Sequence, residues 1–205
     1  MLLAIDTSAG TSVAVVDRER GILAQHDSDD TRRHAEVIGD LIAACLADSG
    51  IAVADLSGVV AGMGPGPFTG LRVGIAAARS FAWGAGKPVI PIVSHDAIAF
   101  GQQDPVMVAT DARRREVYWS AYSGMDAAGL PVRVSGPDLV KTAELSTVTD
   151  FASYRLIEAA TVSAGALGML AETMYAASRP FAADEPLYLR SPDVTISAGP
   201  KRVTA

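Results

Sequence analysis

One cysteine and three histidines are all that this chain of 205 residues offers in thiol and imidazole metal ligands. Cys45 has no partner for an internal disulfide, and its place in an apolar helical stretch makes it a small buried hydrophobe rather than a nucleophile. His26, His34 and His95 stand 8 and 61 residues apart with no His-x-x-x-His pair, which argues against a zinc site of the usual kind and leaves each as a surface or capping residue. Positive charge is also short: 17 Lys and Arg face 23 Asp and Glu, a formal charge of −6. Such a chain lacks the broad cationic face that binds a phosphate backbone by counterion release. No run reaches the roughly 18 apolar residues of a membrane span, and Met1-Leu2-Leu3-Ala4-Ile5 meets Asp6 at once, without a basic leader or cleavage site. A cytoplasmic protein in a reducing compartment, with no membrane association, is the expectation. Neither a Gly-x-Ser-x-Gly elbow nor a Walker A loop occurs.

Apolar material, by contrast, is plentiful. At 49% hydrophobic and 20% charged the chain has enough for a true core, in one compact body or two small lobes. Leu2 to Ile5, Thr11 to Val16 and Ile22 to Gln25 alternate with turn residues and read as an antiparallel meander. From His34 to Asp48 the residues Val37, Ile38, Leu41, Ile42, Cys45 and Leu46 recur at helical spacing, with Gly50 as a stop. Val59 to Ala61 predicts a buried strand, followed by a helix ending near Trp83 and a strand over Val89 to Val93. The order βββαβα with a following strand predicts an α/β fold with a mixed sheet flanked by helices.

A second lobe is expected from Asp104-Pro105, with strands over Val106 to Thr110, Val117 to Tyr122 and Pro131 to Val134 and a helix over Ala164 to Ala177. The division is then 1–103, 104–196 and a frayed tail, 197–205; the pattern assigns no fold to 142–163. Asp6 and Asp111 each end a strand before a turn and a returning strand, the mark of a weak internal repeat.

Ala4 to Val15 holds Asp6, Thr7, Ser8 and Thr11 in a strand, a hydroxyl-rich turn and a strand. Such a turn can cradle a phosphate, with the Asp holding a metal or water, or it can be a hairpin whose polar side chains bond their own backbone. Eight of the 19 glycines lie between Gly58 and Gly86, so backbone there has been made permissive. Within this stretch Gly62 to Arg72 reads either as a tight strand-to-helix turn or as an anion-binding helix start with Pro67 in its first turn. Gly70, Gly74 and Ala78 lie four apart on one helical face and form a shallow groove for another backbone. Spacing does not say whether that neighbour is the protein's own core or another chain, and the wide apolar stripe of the first helix favours a partner. The Arg113-Arg114-Arg115 run predicts a solvated turn, or with Arg32-Arg33 a local anion contact.

Taken together, Ala4-Ile5-Asp6-Thr7-Ser8, His34, Gly64-Pro65-Gly66-Pro67-Phe68-Thr69-Gly70-Leu71-Arg72-Val73-Gly74, Asp111-Ala112-Arg113 with Glu116-Val117-Tyr118, and Pro186-Leu187-Tyr188-Leu189-Arg190 resemble the TsaB (YeaZ) family over nearly the whole chain. The resemblance implies an actin-like (ribonuclease H-like) two-lobed fold with a reduced second lobe. It further implies a non-catalytic subunit required for N6-threonylcarbamoyladenosine at tRNA adenosine 37, a scaffold and activator of the transferase TsaD together with TsaE. The partner-binding residues it implies are His34, Val37, Ile38, Leu41 and Cys45 on the first helix and Gly70, Val73, Gly74, Ala77, Ala78 and Phe81 on the second. They would contact TsaD or, in a homodimer, a second copy. Asp6, Thr7, Ser8, Thr11 and Asp111 become a vestigial phosphate site. No metal or cofactor is implied for the isolated chain: ATP or ADP would lie only at a shared interface, and tRNA would be met only through the complex. The alternatives are an ATP-dependent small-molecule kinase, against which the missing Gly-Gly segment counts, and an M22-type metallopeptidase-like protein, against which the missing histidine pair counts. Two departures stand out: Pro67 where many members have Ser, and a stretch Asp150 to Ser163 without glycines.

Overall fold

Leu2–Asp6 (β1) is buried at every position, and its run is apolar up to the last residue because it lies inside a sheet covered on both faces. In the computed structural model, which describes residues 1–190, β1 pairs antiparallel with Thr11–Asp17 (β2), and β2 with Gly21–Ser28 (β3). On its other side β1 pairs in parallel with Gly58–Gly62 (β4), and β4 with Val89–Ile92 (β5), giving the order β3-β2-β1-β4-β5.

His34–Ser49 (α1) and Phe68–Ala85 (α2) cover one face, where Leu3, Ile5, Val13 and Val59 meet Ile38, Leu71 and Ile75. Each such fully buried aliphatic side chain contributes about 1.5–3 kcal/mol. Both helices stop on a glycine in the left-handed region, Gly50 at φ 67° and Gly86 at φ 65°.

A second sheet repeats the first in shorter form. Val106–Asp111 (β6) pairs antiparallel with Glu116–Met125 (β7), β7 with Pro131–Lys141 (β8), and β6 in parallel with Arg155–Ala159 (β9). The order β8-β7-β6-β9 matches β3-β2-β1-β4, so the internal repeat read from Asp6 and Asp111 is present as topology. Where the first unit inserts α1, the second has only short 3-10 turns over Thr142–Thr147 and Phe151–Ser153. The strand β9 was not among the expected elements, and β8 runs past Val134 because an irregular register carries it around Gly136 and Pro137.

The remaining helices tie the two sheets together. Ser94–Ala99 (α3) links β5 to β6, and Ala164–Ala176 (α4) returns to the open face of the first sheet. There Leu167 and Leu170 pack with Leu2, Ala4, Val16 and Val60. Sequence places α4 in a second lobe, 104–196; its packing is on the first sheet. The reason lies at its start: Ser12 Oγ accepts from the Ala164 amide at 2.8 Å, and Gln25 Oε1 from the Gly165 amide at 2.9 Å. Strands β2 and β3 thus supply acceptors for the otherwise orphaned amides of the helix. The expected tail 197–205, and the end of the expected second lobe, lie outside the described residues.

Candidate functional site

Asp6 ends β1 where the two sheets meet, and nothing of its carboxylate is free. Oδ1 accepts from the Ser8 amide at 2.8 Å and the Ser8 hydroxyl at 2.6 Å, and Oδ2 accepts from Ser94 Oγ at 2.5 Å. Burial pushes its pKa up, and the three hydrogen bonds pull against that shift. A Cβ on Gly62 would stand 1.9 Å from Oδ2, so β4 closes the remaining side. The Asp6–Ser8 bonds are those of a hairpin whose side chain bonds its own backbone, whereas Ser94 reaches in from outside the turn.

Thr7 does something the sequence did not announce. Its hydroxyl donates to the Gly70 carbonyl at 2.7 Å and accepts from the Gly74 amide at 3.0 Å. Those two groups are an i, i+4 pair of α2, so the side chain stands in the hydrogen-bond ladder of the helix. A Cβ on Gly74 would lie 2.1 Å from Thr7 Oγ1, and one on Gly70 2.7 Å from the Thr7 carbonyl. The small-residue groove therefore faces the chain's own β1 turn. Gly70, Gly74 and Ala78 are buried within the monomer, and none presents a surface to a partner.

The other expected contact residues divide by depth. Ile38 and Cys45 point into the core; the Cys45 thiol lies 3.0 Å from the Val13 carbonyl, and burial raises its pKa to about 11. His34, expected at the surface or in a cap, is 7% exposed: its Nδ1 is 2.7 Å from Thr11 Oγ1, and desolvation lowers its pKa. Val37 and Leu41 of α1 and Val73, Ala77 and Phe81 of α2 remain half-buried, an apolar strip shared by the two helices.

His95 also departs from its expected place. It is wholly buried between Ser120 Oγ at 2.8 Å and Thr110 Oγ1 at 2.9 Å, and desolvation lowers its pKa to about 3, so it is neutral. Its neighbours on α3 grip elsewhere: Ser94 holds Asp6, and Asp96 accepts from Tyr122 Oη at 2.7 Å and faces Arg133 at 3.6 Å. Three successive side chains thus bolt the first sheet to the second. A consecutive Ser-His-Asp with no helical or strand periodicity gave no sequence signal of this.

Between the sheets two clefts open side by side. One, of about 550 Å³, runs from Ser8 and Gly10 past His34 to Asp111 and Arg113. The other, of about 540 Å³, lies between the Gly66-Pro67-Phe68-Thr69 segment and the Ala112 to Arg114 turn. Asp111, unlike Asp6, is exposed; its Oδ1 accepts from the Arg113 amide at 2.9 Å. Arg113 in turn reaches across the first cleft to the Thr31 hydroxyl. Segments far apart in sequence converge here: the Phe68 and Tyr188 rings stand 4.8 Å apart, and Arg190 donates to the Ala112 carbonyl at 2.9 Å. No helix among the described residues is long and apolar enough to cross a membrane.

Comparison with known proteins places this geometry. The sequence profile described as "TsaD: tRNA N6-adenosine threonylcarbamoyltransferase" matches residues 18–189. An uncharacterized protein of Mycobacterium tuberculosis (strain H37Rv) is 38% identical over 200 residues, 94% of this chain and 92% of that one. The tRNA threonylcarbamoyladenosine biosynthesis protein TsaB of Haemophilus influenzae is 40% identical over 125 residues, 58% of this chain and 52% of that protein. This chain thus aligns with about half the length of that TsaB. Among solved structures, YeaZ from Pseudomonas aeruginosa superposes with a TM-score of 0.72 at 23% identity, over 92% of this chain and 99% of that one, which shows the fold. The family model over residues 18–189 and the sequence relatives put the chain in the TsaB (YeaZ) family, and the two mixed sheets with their repeated strand order, like the YeaZ structure, show a two-lobed actin-like fold.

Proposed function

We propose that this chain is a non-catalytic subunit in the biosynthesis of N6-threonylcarbamoyladenosine on tRNA, acting as scaffold and activator of the transferase TsaD together with TsaE. The observation that carries the non-catalytic reading is the state of Asp6. An actin-like ATPase needs the carboxylate at this strand end for a metal or a water. Here three protein donors occupy it, and Gly62 closes on it from behind. Thr7, whose hydroxyl would belong to a phosphate turn, is spent on α2.

The scaffold reading is supported by the apolar strip of Val37, Leu41, Val73, Ala77 and Phe81 along α1 and α2. The strip would seat TsaD, and in its absence a second copy of this chain. A net charge of −6 leaves the tRNA-binding surface to the partner. A nucleotide of the complex would lie at the shared interface, in the cytoplasm.

The test is reconstitution of tRNA modification with TsaD and TsaE, with and without this chain. Modification that depends on the chain, and is lost when Phe81→Glu blocks co-purification with TsaD while the melting temperature holds, is the expected result. Equal modification without the chain overturns the proposal, and ATP hydrolysis by the isolated chain that disappears in Asp6→Asn overturns its non-catalytic part.

A further inference from the structure

After α4 the chain over 178–190 forms neither helix nor strand, yet it is fastened along its whole course. A connection of that length without an element of its own is uncommon in a compact fold unless it has a task. Its two ends are held by turns of the second sheet. Arg179 Nη2 donates to Asp126 Oδ2 at 3.0 Å, in the turn between β7 and β8. Arg190 Nη1 donates to the Ala112 carbonyl at 2.9 Å, in the turn between β6 and β7, and its Nη2 lies 3.1 Å from Glu116 Oε2.

The middle is held by the first sheet and by α2. The Ala182 amide donates to the Pro91 carbonyl at 3.1 Å and the Leu187 amide to the Met63 carbonyl at 2.8 Å. Arg79 of α2 donates to the carbonyl and the carboxylate of Asp184 at 3.0 and 2.7 Å, and the Phe68 ring meets the Tyr188 ring at 4.8 Å. The segment is a strap across both sheets and α2.

These fastenings differ in weight. Arg79 and Asp184 are both well exposed, so their ion pair contributes little. At Arg190 the pair is 24% and 27% exposed, and Glu116 Oε2 itself is buried with no hydrogen bond, so water screens this end only in part. Removing Arg190 takes the guanidinium away from that oxygen and a donor away from the Ala112 carbonyl.

Strap and strip hold different sides of one helix. At 3.6 residues per turn Phe68 and Arg79, both gripped by the strap, lie within about 20° of each other around α2. Ala77, in the middle of the apolar strip, lies about 180° from Phe68, and Val73 and Phe81 stand about 40° to either side of Ala77. A helix backed on its far side keeps its near side still, and a surface already still loses less freedom when a partner sits on it.

We infer, on the reading that α1 and α2 seat TsaD, that residues 178–190 brace α2 for that partner and that Arg190 is the positioning residue of the brace. Arg190 acts through Tyr188 and Phe68 rather than at the strip.

The test pairs calorimetric titration with TsaD and amide exchange across the isolated full chain, for the parent, Arg190→Ala, Arg190→Lys and Tyr188→Leu. Arg190→Ala is expected to weaken TsaD about tenfold and to speed exchange over residues 71–78 of α2, with α1 and α4 as protected as in the parent. Arg190→Lys keeps a cation beside Glu116 and is expected to recover most of the affinity. Tyr188→Leu, at a position 40% exposed, leaves Arg190 in place and takes the ring off Phe68; a loss of about threefold is expected, and this variant decides the matter if Arg190→Ala does not fold. Exchange that quickens equally in every element overturns the positioning role, because the strap then only adds stability. Unchanged TsaD affinity in both Arg190→Ala and Tyr188→Leu, beside a parent that binds, overturns the brace alone. A parent that does not bind TsaD overturns the partner reading and the brace with it.

Discussion

The turns after β1 and after β6 are topological equivalents with opposite fates. Each follows the central strand of its sheet, each begins with an aspartate, and each leads into an antiparallel neighbour. Asp6 is buried, with α1 and α2 on one side of its sheet and α4 on the other. Asp111 is exposed, in a unit that has 3-10 turns where the first has α1. What differs is the number of layers, and depth then decides chemistry. Under two helical layers the carboxylate must be satisfied by the protein, because an unpaired buried charge is too costly to keep. At the thin end, charges can face a cleft.

The sharpest way to break this comparison is to force α2 away from the first turn. Gly74→Leu puts a side chain where Thr7 Oγ1 already stands, 2.1 Å from the new Cβ. Loss of the folded state is expected, seen as loss of the cooperative melt and of helical circular dichroism. Gly74→Ala is expected to fold but to lose about 1–3 kcal/mol, despite the better helix propensity of Ala. Thr7→Ala in that background removes the colliding atom, so the double mutant should lose less than the sum of the single losses. If Gly74→Leu melts like the parent, α2 is not seated on Thr7.

Next in size is the paired substitution of the two aspartates. Asp6→Asn places an amide against the Ser8 and Ser94 hydroxyls and the Ser8 amide, and a loss of about 1–3 kcal/mol is expected from urea unfolding. Asp111→Asn, at the exposed equivalent, is expected to stay within about 0.5 kcal/mol of the parent. Equal losses at the two positions would mean that layer number does not govern the difference.

Periodicity was enough to read the first sheet, α1, α2 and α4 because their apolar residues repeat at the spacing of the element that buries them. It could not say which neighbour the small face of α2 meets: Gly70, Gly74 and Ala78 mark a close approach, and only the fold shows that Thr7 makes it. The assignment of α4 failed for the same reason, since its acceptors, Ser12 and Gln25, lie on strands remote in sequence. Strand β9 is five residues with a charge at Arg155 and another at Glu158, too short and mixed to stand out. Of the candidate site, Asp6 and Asp111 were legible as a repeat. The convergence of Phe68, Tyr118, Tyr188 and Arg190 was not, because no local pattern connects them.

His95 tests the bolt between the sheets. Its folded pKa of about 3 lies below the ordinary histidine value of 6.5, so the stability it supports is fully present above pH 6.5 and is lost as pH falls from there toward 3. Within that window one extra proton taken up on unfolding gives a slope of about 1.4 kcal/mol per pH unit. Unfolding free energies from pH 7 to 5 should show it, and His95→Gln should flatten the curve by one proton. A wild-type slope unchanged in His95→Gln would assign the acid sensitivity to the carboxylates instead.

The smallest effect concerns backbone at the thin end. The first turn uses Gly10 at φ 73°, whereas the second holds Arg113, Arg114 and Arg115 at φ 65°, 54° and 61°. A left-handed conformation costs a residue with a Cβ about 1–2 kcal/mol, which glycine avoids. Arg115 is the position to change. It lines neither cleft, and the Thr142 amide donates at 2.9 Å to its backbone carbonyl, which any residue retains. Glycine there also loosens the unfolded chain by roughly 0.4–1 kcal/mol, which offsets much of the relief. Arg115→Gly is therefore expected to raise stability by at most about 1 kcal/mol, read as a higher urea midpoint at unchanged slope. A loss of similar size would show that the Arg115 side chain holds the turn, making the second turn as dependent on its side chains as the first.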